Sequence, residues 1–121
     1  MSAPKIMTME FVIGEQRYKV EIPEILLTEA EDFFNKIDQD MDRGWQMSRQ
    51  WVDNPNTIQR CQILADKIIT ALGKGNQQMV ELSTAYILKR LPGVTYADID
   101  IDGDINQTHF EIGKQPIAPV I

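Results

Sequence analysis

Ile6-Met7-Thr8-Met9-Glu10-Phe11-Val12-Ile13-Gly14-Glu15-Gln16-Arg17-Tyr18-Lys19-Val20-Glu21-Ile22 alternates apolar and polar residues on both sides of one glycine. Taking Gly14-Glu15 as a two-residue turn, with Gly at the first central position where positive φ is needed, makes this a β-hairpin. Phe11 then pairs with Tyr18, Met9 with Val20 and Met7 with Ile22, so one face is wholly apolar. The other face pairs Val12 with Arg17, Glu10 with Lys19 and Thr8 with Glu21, and Glu10 with Lys19 is the expected cross-strand ion pair. A slip of one residue would scatter the apolar set over both faces. A sheet with one apolar face requires a covering layer, which the next seventy or so residues can supply.

Pro23 closes the second strand, and Thr28-Glu29-Ala30-Glu31 has the form of a capping box at a helix start. At 100° per residue, Ala30, Phe33, Phe34, Ile37, Met41, Gly44, Trp45, Ser48, Trp51 and Val52 fall in one sector. This predicts one long helix with a single buried face. Asp53-Asn54-Pro55 breaks it and opens a second, with Asn54 as cap and Pro55 in the first turn. The apolar stripe Ile58, Cys61, Leu64, Ala65, Ile68, Ile69, Ala71 and Leu72 carries that helix to Gly73. Gly73-Lys74-Gly75 reads as helix-to-helix punctuation rather than a phosphate loop, because no strand precedes it and the motif spacing is missing. Asn76 caps a third helix that ends at Leu91-Pro92-Gly93. Met79, Leu82 and Tyr86 lie on one side of it, Val80, Ile87, Leu88 and Leu91 on another.

Beyond Gly93, residues 94–101 and 105–112 have strand-like composition around an Asp-Gly turn, which predicts a second hairpin. Gln115-Pro116-Ile117-Ala118-Pro119-Val120-Ile121 reads as an extended tail. The expected fold is therefore α+β in the order ββαααββ: two antiparallel hairpins packed on a three-helix layer, in one domain over residues 1–114, with a tail over 115–121. Whether the hairpins adjoin is left open.

With 121 residues, 43% of them apolar, the chain can bury a core without metal or disulfide. The single cysteine excludes an internal bridge, and the first residues lack the apolar segment of a signal peptide, so the expected compartment is the cytoplasm. No apolar run is long enough to span a membrane. A net charge of −6 with scattered Lys and Arg argues against nucleic acid and anionic membranes as partners. No cofactor is expected.

Asp98-Ile99-Asp100-Ile101-Asp102-Gly103-Asp104-Ile105 is the stretch richest in potential chemistry, since Asp98, Asp100, Asp102 and Asp104 could converge on a divalent cation. Its spacing resembles the opening of an EF-hand or dockerin loop, with Gly103 at the sharp turn and Ile105 at the apolar position. The likeness covers about a dozen residues and fails where it matters most: position twelve is His109 instead of a bidentate Glu, and Pro92-Gly93 stands where the incoming helix belongs. The competing reading is a hairpin tip whose carboxylates face water. Trp45, Trp51, Phe33 and Phe34, with Arg43 or Arg49 near by, could line an aromatic cleft, although helical spacing makes them core residues first. Cys61, inside an apolar stripe, reads as a buried hydrophobe, and one His cannot build a triad or a multi-His site.

The function expected from these residues is that of a small cytoplasmic non-catalytic interaction or accessory protein. The surplus apolar side of the third helix, Val80, Ile87, Leu88 and Leu91, is expected to form the contact of a homo-oligomer, a twofold dimer, beside an unknown protein partner. The alternatives are a cation-binding module at Asp98–Asp104 and a small-molecule binder or enzyme with an aromatic cleft.

Overall fold

A computed structural model describes residues 5–102 and 104–113. The expected tail over 115–121 lies outside them. The first hairpin forms as the alternation requires: β1 (Ile6–Ile13) and β2 (Gln16–Pro23) pair antiparallel with Met7 opposite Ile22, Met9 opposite Val20 and Phe11 opposite Tyr18. Gly14 takes φ +64° at the turn, where its lack of a Cβ is needed. Met9, Phe11, Val20 and Ile22 are buried. On the outer face Glu10 accepts from Arg17 at 2.8 Å instead of pairing with Lys19, which reaches Glu21 along its own strand at 3.4 Å.

A single turn, α1 (Leu26–Glu29), and α2 (Glu31–Asp42) follow. Thr28 lies inside α1, and Ala30 stands at the start of α2 without a side-chain cap, so the expected capping box is absent. The long helix predicted through Val52 also stops early. Gly44 adopts φ +103°, and the chain turns into a small antiparallel hairpin of β3 (Trp45–Met47) and β4 (Gln50–Val52), with Ser48 at φ +59° in its turn. Trp45 and Met47 share one face of β3 and Trp51 lies on the other face of the hairpin, but strands of three residues are too short for this alternation to outweigh the helical spacing of Trp45, Ser48, Trp51 and Val52. The glycine was the discriminating signal.

The cap of α3 (Thr57–Gly73) is Asn56, two residues later than expected; its side chain accepts from the Gln59 amide while the Gln59 side chain accepts from the Asn56 amide. Asn76 caps α4 (Gln77–Arg90) by accepting from the Met79 amide. β5 (Val94–Ile99) and β6 (His109–Ile112) pair antiparallel, with a 3-10 turn over Ile105–Gln107 between them. The two hairpins adjoin: β5 lies parallel to β1, with Phe11 opposite Ala97 and Ile13 opposite Ile99, giving one mixed sheet in the order β2-β1-β5-β6. Such a parallel pair requires a long crossover, here the helices and the small hairpin between β2 and β5. The observed order is thus ββααββααββ within the α+β class. Phe11 and Met9 from the sheet, Phe34 and Met41 from α2, Leu64 and Ile68 from α3, and Tyr86 from α4 belong to one buried cluster.

Candidate functional site

Asp38 on α2 is the centre of the densest polar cluster. Its carboxylate accepts from the Tyr86 hydroxyl at 2.5 Å, from Arg90 at 2.5 Å and from Arg60 at 3.2 Å. Helical spacing explains the convergence: Asp38 and Asp42 are one turn apart on α2, Tyr86 and Arg90 one turn apart on α4, and Arg60 lies in the first turn of α3. Arg60 uses all five of its N–H donors: Nε to the Pro55 carbonyl, Nη1 to the carbonyl and carboxylate of Asp38, and Nη2 to Asp42 at 2.7 Å and Asn54 at 2.8 Å. The Arg90 guanidinium also lies 5.1 Å from the Tyr86 ring centroid, within cation–π range.

Burial alone would raise the Asp38 carboxyl, but the hydrogen bonds from Tyr86, Arg90 and Arg60 outweigh it and hold the group below its ordinary range. Burial, and then the bond to Asp38, pushes the Tyr86 phenol up. Burial opposes the charge on Arg60 and Arg90, yet their carboxylate bonds raise both above the ordinary value. Each shift moves its group away from neutrality, so the cluster offers no proton donor or acceptor poised for acid/base work near pH 7. Asp38, Asp42, Arg60 and Arg90 border an open cleft of about 490 Å³. Charges of opposite sign saturate one another there, which makes the cluster a clamp between three helices.

The β3–β4 hairpin presents a different feature. Trp51 is 55% exposed, although large aromatic side chains are usually sheltered. Its indole N–H donates to the Asp53 carboxylate at 2.9 Å, and the ring lies so close over Gly44 that a Cβ there would be 2.5 Å from it. Gly44 therefore serves twice, in the backbone reversal and as the seat of the indole. Trp45, on the opposite face of the hairpin, is half-buried and has the Lys67 ammonium 5.0 Å from its ring centroid. Phe33 and Phe34 pack instead with each other and with Tyr86, edge to face. The four aromatic residues thus do not share a cleft. Arg43 ends α2 and Arg49 sits at the hairpin turn, both exposed.

The Asp run divides. Asp98 lies on β5 opposite His109. Asp100 accepts from the amides of Asp102 at 3.0 Å and Asp104 at 2.9 Å, and Asp104 accepts from the amide of Asn106 at 3.0 Å. These are local side-chain-to-backbone bonds that shape the loop. The Asp100 amide donates to Thr108, and the buried Gln62 amide on α3 donates to the carbonyls of Asn106 and Thr108, which fastens the loop to the helix layer. Among the described residues no group of three or more His, Cys, Asp or Glu is placed to hold a metal ion. His109 lies 3.6 Å from Glu111.

Val80, Ile87, Leu88 and Leu91 are all buried within the single chain. The cover comes from within the chain: α4 packs against α3, β2 and α1. These four side chains consequently present no apolar surface to a second copy. Cys61 is buried and its thiol is pushed up to about 12, chiefly by burial, as suits an inert core residue. Gly73-Lys74-Gly75 connects α3 to α4. No helix of the described residues is long and apolar enough to cross a membrane.

No family model, curated protein or solved structure matches this chain.

Proposed function

We propose that the chain is a small non-catalytic interaction or accessory protein whose contact surface is the outer face of the β3–β4 hairpin. The observation that carries this reading is Trp51: a large aromatic side chain held in one orientation on the surface by Asp53 and by a glycine seat. A tryptophan immobilised before contact loses little entropy on binding, and such residues dominate the energetics of protein interfaces. The saturated Asp38 clamp agrees with an accessory role, since its donors and acceptors are consumed in joining helices. A second copy of the chain is one partner this face could meet.

The test is comparative recovery from the native host of tagged wild type, Trp51→Ala and an Ile6→Ala control, with partners identified by mass spectrometry and self-association by light scattering. Ile6 is also exposed and apolar but lies on β1, outside the hairpin. The expected result is a stoichiometric partner, or a dimer, that persists with Ile6→Ala and disappears with a folded Trp51→Ala. Identical recoveries and masses for all three would refute the reading.

A further inference from the structure

We propose that the cleft between the β3–β4 hairpin and the α3–α4 corner is a binding site for a small organic anion with a flat apolar body. This site is separate from the Trp51 face, since Trp45 and Trp51 point to opposite sides of the hairpin. The cleft encloses about 360 Å³, near the lower end of the range for small-molecule sites. Its apolar lining comes from Trp45, Ile63, Ala71 and Met79, contributed by three elements.

The cations decide the ligand's sign. In a chain with 18 acidic and 12 basic residues, an acidic neighbour is easy to find, and Arg17, Lys19, Arg60, Lys89 and Arg90 all form ion pairs. Lys36, Arg43, Arg49, Lys67 and Lys74 form none among the described residues, and of these five Lys67 and Lys74 line this one cleft together. Lys67 lies on α3 and Lys74 is the residue that caps its C-terminus, two turns on and about 10.5 Å further along the axis on nearly the same side, with Thr70 between them. Two flexible lysine side chains can close that separation around one anionic group. The Thr70 hydroxyl makes only a long 3.5 Å contact to the Asp66 carbonyl and can turn to donate to the same group. Asp66 also borders the cleft and opposes an anion, but the two lysines outnumber this aspartate and leave the local charge positive. Asn76 borders it too, but its side-chain oxygen is already committed to the Met79 amide. Lys67, with its ammonium over the Trp45 ring, places positive charge against an aromatic side chain, the combination that suits a planar carboxylate, sulfonate or phosphate ester.

The probe is 2-naphthoate, compared with the uncharged 2-naphthamide, titrated into isotopically labelled full-length protein and followed by amide and indole NMR shifts. Shifts are expected at the Trp45 indole and along residues 67–74. Lys67→Gln/Lys74→Gln should weaken naphthoate by about tenfold and leave the amide unchanged, whereas Lys67→Arg/Lys74→Arg should retain most of the affinity. Glutamine and arginine are both good helix formers, so α3 tolerates either pair. Shifts centred elsewhere, no shift up to the solubility limit, equal affinity for acid and amide, or naphthoate binding unchanged in the double glutamine variant would each overturn the proposal.

Discussion

Replacing Asp38 by Asn tests whether the Asp38 clamp is a structural device. The substitution keeps shape and one acceptor oxygen but removes the charge, and turns an NH2 group toward donors already in place. Tyr86 can still be accepted, so the loss falls on the bonds from Arg90 at 2.5 Å and Arg60 at 3.2 Å. Charge-assisted bonds contribute about 1.5 to 3 kcal/mol each when sheltered, and two of them set an upper range of roughly 3 to 6 kcal/mol. The Asp38 side chain is 24% exposed, and Arg60 keeps Asp42 as an ion partner, so both terms are diminished by solvent and by the remaining carboxylate. A loss of about 2 to 3 kcal/mol is expected. Urea denaturation measures it: with a slope of about 1.5 kcal/mol per molar, the midpoint should fall by about 1.3 to 2 M.

The pH dependence gives an independent check with a definite sign. Hydrogen bonds hold the folded Asp38 carboxyl below its ordinary value of 3.8, so its stabilisation is present above that value and is lost as pH falls through the folded pKa. The wild type should therefore converge on Asp38→Asn as acid is added, with the gap beginning to narrow below about pH 5. A gap that stays constant into strong acid, or a loss at neutral pH below about 1 kcal/mol, would refute the clamp as described.

Three further outcomes follow from other contacts. Gly44→Ala should destabilise by about 2 to 4 kcal/mol, from a positive-φ penalty and a clash with Trp51, and Gly44→Ala/Trp51→Ala should recover the clash while retaining the backbone share, as read by urea midpoints. Asp100→Ala removes the acceptor of two loop amides and should cost about 1 to 2 kcal/mol by thermal melting in the absence of metal, while added calcium leaves the wild-type curve in place. Cys61 should resist a thiol reagent in native buffer and react at the rate of a model thiol in denaturant, because both burial and its raised pKa suppress the thiolate.

Legibility in the sequence depended on the range over which each feature is specified. The Gly14 hairpin is written in seventeen consecutive residues, and its register emerged intact because pairing, facing and turn chemistry all agree locally. The Glu10 ion pair did not, since side chains on one face can choose diagonal partners and Arg17 competes with Lys19. Helix α4 carries apolar residues on two sides, but that pattern states only that both sides are covered and not by what. Its cover is α3, α1 and β2, delivered by a chain path that the pattern does not encode.

The Asp38 cluster was the hardest part to foresee, because its members lie 22, 48 and 52 residues from Asp38 and each has an ordinary reason to be on a helix surface. The available signal was geometric. Asp38 with Asp42 and Tyr86 with Arg90 are both spaced i, i+4, so each pair must share a helix face. An acid pair on one helix and a tyrosine–arginine pair on another become informative only once the helices are placed side by side. The parallel pairing of β1 with β5 constrains that placement by setting where the crossover starts and ends. The same crossover leaves the Trp45–Val52 hairpin outside the main sheet, as a separate two-stranded unit. Topology, more than any motif, thus determines which residues are spent on stability and which remain available to a partner or ligand.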